Sequence, residues 1–110
     1  MFTRNPVEKN GILWAGKTLG DWSPFLEGAE AIVNLRGKSV NCIYTEENKK
    51  EIIGSRVDSV RIVDEAIRIC STPPKVLLQA GSLAIYGDTE ECCSEDAPHG
   101  HGFSVKVCEL

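Results

Sequence analysis

The sequence lacks any apolar run that approaches the roughly 20 residues of a membrane-spanning helix. It also lacks an excess of positive charge, because 12 Lys and Arg stand against 16 Asp and Glu and give a net charge of −4. A nucleic-acid-binding surface needs clustered Lys and Arg, so this balance argues against one. No apolar h-region follows the basic residue near the N-terminus; we therefore expect no secretory signal peptide and predict a cytoplasmic protein.

The five cysteines lack the even number and regular spacing of a disulfide framework, which favours reduced thiols. The vicinal Cys92 and Cys93 suit a redox element, and together with His99, His101 and Cys108 they invite a zinc interpretation. Their spacing fits no usual Cys-x2-4-Cys or His-x3-5-His arrangement, so we predict no metal site. A polar loop with incidental thiols is the simpler interpretation of the same residues.

The stretch 75–88 contains the expected site. Its apolar run at residues 76–78 follows two prolines and predicts a short strand buried on both faces, although the pattern also allows a buried helix. Ala80, Gly81 and Ser82 come next, and such small residues let a ligand approach the backbone. Ligands of open α/β sheets bind beyond the carboxyl ends of the strands, so this is where we expect one.

The remaining elements alternate between strands and helices. We predict strands at residues 1–3, 12–14 and 31–35, a helical turn at 23–28 with Phe25 and Leu26 packed inward, and a partial helix from Phe103. The longest helical pattern starts at the capping residue Thr45 and should reach about Ile69. Its predicted buried stripe consists of Ile52, Ile53, Val57, Val60, Val63 and Ile67. This alternation indicates parallel βαβ units in one α/β domain over residues 1–110.

Several blocks of residues carry a resemblance to a known family. Asn34-Leu35-Arg36-Gly37 is similar to the Asn-Leu-Ala-Gly loop, and Ser82-Leu83-Ala84-Ile85-Tyr86-Gly87 to the Ser-x-x-x-Tyr-Gly motif, of the extended and atypical short-chain dehydrogenase/reductases. The match continues, in order, through Tyr44 to Ile52, Ser55 to Ser59, Glu95-Asp96-x-Pro98 and Phe103-x-x-x-Val107-Cys108. Over nearly its whole length the chain resembles the NAD(P)-dependent epimerase/dehydratase family, in particular its sugar-nucleotide epimerases.

The resemblance implies a partial Rossmann-like fold, a doubly wound parallel sheet that lacks the family's first strand and Gly-rich loop. Members of the family open with a Gly-x-x-Gly-x-x-Gly loop at a helix N-terminus, where backbone N–H groups hold the cofactor pyrophosphate. The sequence contains no such motif. We therefore expect an internal fragment of a longer protein, forming a single incomplete NAD(P)-binding domain over residues 1–110.

Site residues follow from the resemblance by position. Ser82 matches the serine that hydrogen-bonds the substrate oxygen during hydride transfer, although an exposed serine after a strand is commonly a turn former. The positions expected along the cofactor, NADP or NAD, are Arg4, Asn34, Leu35, Gly37, Ala80 and Gly81. Arg4 matches a basic residue that faces the adenosine 2′-phosphate and favours NADP, and a solvated arginine in a turn is the alternative interpretation.

Four positions depart from the family pattern. One is Arg56, which stands where many relatives have an asparagine on the central helix. Arg36 replaces an alanine, and Phe103 and Val107 stand where the superfamily has its catalytic Tyr and Lys. Phenylalanine has no hydroxyl for acid–base chemistry, so the usual proton transfer is unsupported.

We expect an epimerase/dehydratase-like oxidoreductase acting on a sugar-nucleotide-type substrate, inactive as these 110 residues alone. The alternative is a non-catalytic remnant or a partner-dependent domain that self-associates through open sheet edges.

Overall fold

A computed structural model describes residues 1–3 and 11–110 of the chain. These residues form four strands, two α-helices and two short 3₁₀ helices. The strands are β1 (Phe2–Thr3), β2 (Ile12–Leu13), β3 (Ala31–Asn34) and β4 (Val76–Gln79). The α-helices are α1 (Glu46–Arg68) and α2 (Phe103–Glu109), and the 3₁₀ helices span Ser23–Leu26 and Leu83–Tyr86. The chain forms two compact units, Met1–Gln79 and Ala80–Leu110, and their union into one domain stays a prediction.

Both strand pairs of the first unit are parallel. β1 pairs with β2, with Phe2 opposite Ile12, and β3 pairs with β4 from Ala31 opposite Val76 to Asn34 opposite Gln79. Parallel pairing requires a crossover connection, and the 23-residue helix α1 lies in the crossover between β3 and β4. The predicted α/β class with parallel strands, a partial Rossmann-like fold, is confirmed.

Helix α1 begins where its capping sequence predicts. The Thr45 hydroxyl accepts a hydrogen bond from the Asn48 N–H at 3.2 Å, and Glu46 and Glu47 occupy the positive end of the helix dipole. The buried face consists of Ile52, Ser59, Ile62, Val63 and Ala66. Burial of Val57 and Val60 was therefore a wrong prediction. Val57, for example, follows Ile52 by five residues, about 140° around the helix.

The core of the first unit forms around Trp22, Leu26, Ile62 and Ala66. The Trp22 ring lies 5.7 Å from the Phe2 ring and 5.6 Å from the Trp14 ring, so aromatic packing joins β1 to the segment before the first 3₁₀ helix. The inward packing expected for Phe25 is wrong, since 61% of this residue is exposed. A single 3₁₀ turn directs neighbouring side chains about 120° apart, and Leu26 takes the inward direction.

Strand β4 departs from the prediction of a strand buried on both faces. Val76, Leu77 and Leu78 are 47%, 44% and 55% exposed. In the described part of the chain, β4 has a neighbouring strand, β3, along one edge only. The apolar run therefore predicted the strand correctly, but its burial on both faces was a wrong prediction.

The second unit is built from turns around two glycines. Gly87 adopts φ 73°, and the Gly100 N–H donates to the Ile85 carbonyl at 3.0 Å. A Cβ at Gly100 would lie 2.6 Å from the carbonyl carbon of Tyr86, so only glycine allows the two segments to approach this closely. Helix α2 packs against the second 3₁₀ helix and buries Val105.

None of the helices in the described segments combines the length and apolar character that a membrane crossing requires.

Candidate functional site

Asn34 connects three elements at the carboxyl end of β3. Its side chain is buried, and Nδ2 donates to Oε1 of Gln79 at 2.7 Å and to Oγ of Ser59 at 3.3 Å. Its Oδ1 accepts from the backbone N–H of Arg36 at 3.1 Å. Because Gln79 ends β4 and Ser59 lies on α1, this one carboxamide fixes both elements relative to the loop that follows β3. Such a buried polar network is stable only when its groups are satisfied, as they are here.

The loop after β3 lines a cavity of about 410 Å³. Three of the predicted cofactor positions, Asn34, Leu35 and Gly37, lie on its wall, and Leu35 is 76% exposed. The opposite walls are largely apolar and include Phe2, Trp14, Trp22 and Leu26. The volume lies within the roughly 300–1,000 Å³ of small-molecule sites. The structure therefore places part of the predicted cofactor set at one concave surface.

Arg36 crosses the rim of this cavity. Its Nη1 donates to the Ala15 carbonyl, and its guanidinium carbon lies 5.4 Å from the centre of the Trp14 ring. A Cβ at Gly16, which has φ 65°, would collide with the guanidinium, so the arginine lies directly over this glycine. The family's small alanine is thus replaced by a positive charge held against the neighbouring loop.

Lys38 lies on the other side of the same loop. Its backbone N–H donates to Ser55 Oγ at 2.8 Å, and its ammonium donates to Asn48 Oδ1 at 3.0 Å and pairs with Glu51. The hydrogen bond to Glu51 raises the pKa of Lys38, and the same bond lowers the pKa of Glu51. Arg56 completes the anchoring by donating from Nη1 to the Lys38 carbonyl at 3.1 Å. Helix α1 therefore fixes the loop from this side.

Ser82, the predicted catalytic residue, lies in the second unit with Ala80 and Gly81. All three are exposed. The Ser82 hydroxyl caps the second 3₁₀ helix by accepting from the Ala84 N–H at 3.1 Å. A hydroxyl that accepts one hydrogen bond can still donate its own proton, so capping does not prevent Ser82 from bonding a substrate oxygen. The turn-forming and functional interpretations of this serine are thus compatible.

Other positions noted in the sequence supply no further catalytic constellation. Phe103 and Val107 lie one turn apart on α2, and Lys106 is exposed in its last turn. The five cysteines are free thiols, and burial raises the pKa of Cys70. Within residues 1–3 and 11–110, no three His, Cys, Asp or Glu side chains lie close enough to hold a metal ion. Arg4 lies outside the described residues.

Sequence reasoning missed the supporting roles of Ser59 and Gln79. A serine among apolar residues of a helix is a signal for a buried polar partner, and Gln79 stands opposite Asn34 once the parallel pairing of β3 and β4 is known. The contact of Arg36 with residues 14–16 carried no such signal, because the two loops are 20 or more residues apart in sequence. The predicted site assignments themselves stay predictions.

Comparison with known proteins finds similarity to epimerase family proteins. No family model matches it. It is 30% identical over 94 residues to the Arabidopsis thaliana epimerase family protein SDR39U1 homolog, chloroplastic, covering 80% of this chain and 26% of the relative. It is 38% identical over 66 residues to the Bacillus subtilis (strain 168) epimerase family protein YfhF, covering 59% of this chain and 22% of the relative. The chain thus spans about a quarter of these relatives' length.

A solved structure gives the same relationship at the level of the fold. The crystal structure of human epimerase family protein SDR39U1 (isoform 2) with NADPH matches 96% of this chain and 36% of its own, with a TM-score of 0.78 and 25% sequence identity. Sequence and fold agree with the family that the loop and serine motifs indicated. By both criteria, the chain is homologous to epimerase family proteins, and the resemblance to the NAD(P)-dependent epimerase family is confirmed over the part that it matches.

Proposed function

We propose that this chain supplies part of the NAD(P)-binding domain of an epimerase/dehydratase-type oxidoreductase. One observation supports this most directly: the cavity extends along β3 to the carboxyl end of the strand, where Asn34, Leu35 and Gly37 line it. That is the edge at which parallel α/β sheets bind ligands. The proposal also draws on homology, since a structural relative of this chain was solved with NADPH.

The residues around the cavity suit the adenosine portion of a dinucleotide. Phe2, Trp14 and Leu35 offer apolar surface to a base, and residues 34–37 are the proposed contacts for the ribose. Arg4 is the proposed contact for a 2′-phosphate. When bound, the cofactor would supply a hydride acceptor or donor. The sequence has no Gly-x-x-Gly-x-x-Gly motif to hold the pyrophosphate, so we propose no turnover by these 110 residues alone.

Ser82 is the proposed contact for the substrate. Its hydroxyl accepts from the Ala84 N–H, which orients the group and leaves its proton to be donated to a carbinol or carbonyl oxygen. The preceding residues, Ala80 and Gly81, have no bulky side chains, and a Cβ at Gly81 would meet nothing within 4 Å. A sugar-nucleotide-type substrate is proposed from the family resemblance.

An NMR titration of the purified chain with NADPH and NADH tests the cofactor proposal. We expect binding weaker than micromolar, with amide shifts concentrated at Asn34 and Gly37. Leu35→Asp should weaken this binding, because it places a carboxylate at the cavity wall. Leu83→Asp is the matched control, a similarly exposed leucine in the second unit. Unperturbed amides at 34–37 with millimolar NADPH would contradict the cofactor proposal. Micromolar binding would contradict the premise that the chain alone cannot hold the cofactor, on which its expected inactivity rests.

A partner-dependent domain is the second candidate function. Among the described residues, β1 and β3 each pair along one edge only, and residues of both strands line the 410 Å³ cavity. Unpaired strand edges are templates for pairing with another chain, which supports self-association. We expect light scattering to show a mass that rises with concentration and falls in Val33→Lys, whereas Val57→Lys on α1 serves as the control. A monodisperse monomer at all concentrations would exclude this candidate.

A cytoplasmic location, with no nucleic-acid or membrane partner, completes the proposal. Its support is the net charge of −4 and the free thiols. Cell fractionation with an antibody against the chain tests it, and recovery in a membrane or organelle fraction would contradict it.

A further inference from the structure

A second cavity lies between the Arg36–Ser39 loop and helix α1. Its volume is about 610 Å³, and its walls are polar. The lining residues are Lys17, Arg36, Gly37, Lys38, Ser39, Lys50, Glu51, Gly54, Ser55 and Asp58. This cavity belongs to the first unit and is separate from the apolar cavity on the other side of the loop, although both contact Arg36 and Gly37.

The charge of this second cavity is opposite to that of the chain. Four of its lining side chains are cationic and two are anionic, a net of +2, whereas the whole chain carries −4. One third of the 12 Lys and Arg of the sequence therefore surround one cavity. A lining with a net positive charge attracts anions, so this cavity favours an anionic ligand over a cationic one.

Two of the cations remain available to a ligand. Lys38 is paired with Glu51, but neither Lys17 nor Lys50 forms an ion pair with a carboxylate in the described part of the chain. Lys17 nevertheless lies near enough to Glu51 to contribute to lowering the pKa of that carboxyl, after the larger effect of Lys38. The Ser39 hydroxyl accepts from the Asn41 N–H and keeps its own proton to donate.

We infer that this cavity is a phosphate-binding site, with Lys17, Lys50 and the Ser39 hydroxyl as the ligand contacts. A phosphate group carries a charge of about −1.5 to −2 near neutral pH and three strong acceptor oxygens, which suits two free ammonium groups and one hydroxyl donor. The phosphate can belong to a small monoester or to a dinucleotide, and the shared chemistry is the phosphate dianion. The inference does not depend on the proposed function, because inorganic phosphate alone probes it.

Gly54 offers a sharp test, because it lines the cavity from α1 and a Cβ there would meet nothing within 4 Å. Gly54→Glu places a carboxylate in the cavity with a residue that favours helix more than glycine does. Gly54→Ala is the matched control without charge. In NMR titrations with inorganic phosphate, we expect shifts at Lys38, Ser39 and residue 54. Gly54→Glu should weaken binding about fivefold, while Gly54→Ala stays within twofold.

A double variant, Lys17→Met with Lys50→Met, tests the proposed contacts directly. It should weaken phosphate binding about tenfold, whereas Lys75→Met, an exposed lysine outside the cavity, should leave it unchanged. Circular dichroism verifies that every variant remains folded. The phosphate site would be refuted if phosphate caused no amide shifts in the parent. It would also be refuted if Gly54→Glu and the double variant bound phosphate within twofold of the parent.

The source of the phosphate is distinguished by three further ligands. If a dinucleotide supplies it, the 2′-phosphate binds here and not at Arg4. NADPH then competes with phosphate and loses affinity in Gly54→Glu, while NADH does neither. If a monoester supplies it, glycerol 3-phosphate competes and NADPH does not. Failure of all shifts at residues 38, 39 and 54 refutes the phosphate site, whereas failure of NADPH to shift residues 34–37 refutes the cofactor proposal separately.

Discussion

In the two compact units, the hydrogen-bond partners of the candidate site residues lie at different distances along the sequence. In Met1–Gln79, Asn34 bonds to Ser59, 25 residues away, and to Gln79, 45 residues away. In Ala80–Leu110, Ser82 bonds to Ala84, two residues away. Buried apolar side chains follow the same division, since among the described residues six lie in the first unit and Val105 alone in the second. The loop after β3 thus depends on a completed core, whereas the Ser82 turn is a local structure.

This difference predicts unequal protection against hydrogen exchange. Segments with few buried apolar contacts open at low free energy, so amides of 80–110 should exchange faster than those of α1 and β3. Each variant below is expected to alter one side of this contrast, and exchange measured by mass spectrometry on peptides from each unit would show which side changed.

Asn34→Ala should produce the largest effect. It removes the buried carboxamide and leaves Ser59 and Gln79 without their donor, which we expect to destabilise the first unit by about 2–3 kcal/mol. Urea unfolding followed by tryptophan fluorescence measures this, because both tryptophans lie in the first unit. Asn41→Ala in the exposed loop is the control, expected within about 0.5 kcal/mol of the parent. Equal losses in the two variants would contradict a network role for Asn34.

Gly100→Ala should affect the second unit next most strongly. The new Cβ would press against the Tyr86 carbonyl and the Gly87 nitrogen, and such overpacking costs about 1–3 kcal/mol. We expect faster exchange at the Gly87 amide, which donates to the Ala84 carbonyl. Gly81→Ala is the matched substitution in open space and should leave the exchange rate unchanged. Indistinguishable exchange in the two variants would argue against a closely packed turn.

Gly54→Ala should increase the difference in exchange protection between the two units, because it stabilises the first unit. Alanine favours a helix interior by about 1 kcal/mol over glycine, and the position has room for the methyl group. The expected result is a higher Tm and slower exchange along α1. Gly28→Ala should have the opposite effect and lower the Tm, because the φ of 69° at this position costs an L-residue about 1–2 kcal/mol. A lower Tm for Gly54→Ala would show that the helix needs glycine for a contact.

The Lys38–Glu51 pair should give the smallest effect, visible only in the pH dependence. The folded-state pKa of Glu51 is lowered from its ordinary 4.5 by the hydrogen bond to Lys38, so the pair stabilises the fold above pH 4.5. That contribution is lost as pH falls through the lower folded-state value. We expect Glu51→Gln to have a flatter decline of stability with acid than the parent. Parallel pH curves would contradict the contribution, and Glu90→Gln, outside the pair, should follow the parent.

Local features of the fold were largely predictable from the sequence. Thr45 and the two glutamates after it define the start of α1, and the apolar runs at 31–35 and 76–78 define β3 and β4, because capping and short apolar runs act through neighbours in the chain. The exposure of Leu77 and the inward direction of Leu26 rather than Phe25 were not predictable. Both depend on which other elements cover a given face, and one-dimensional patterns do not contain that information.

The candidate site divides in the same way. Ser82 and the Asn34–Gly37 loop could be proposed as site positions because their motifs are contiguous in sequence. The partners that give them geometry were missed, since Ser59 and Gln79 come near Asn34 only through strand pairing and helix packing. The cationic cavity was missed as well, because Lys17, Arg36 and Lys50 come from three separate segments in a chain that is acidic overall.

The Asn34–Gln79 hydrogen bond has a consequence for how β3 and β4 find their alignment. All four residues of β4 are exposed, so burial distinguishes poorly between the native pairing and one shifted by a residue. A shift would direct the Gln79 carboxamide to the other face of the strand pair and separate it from Asn34. The bond therefore selects one alignment among several of similar hydrophobic content, and its contribution is to the accuracy of folding as much as to the strength of the fold.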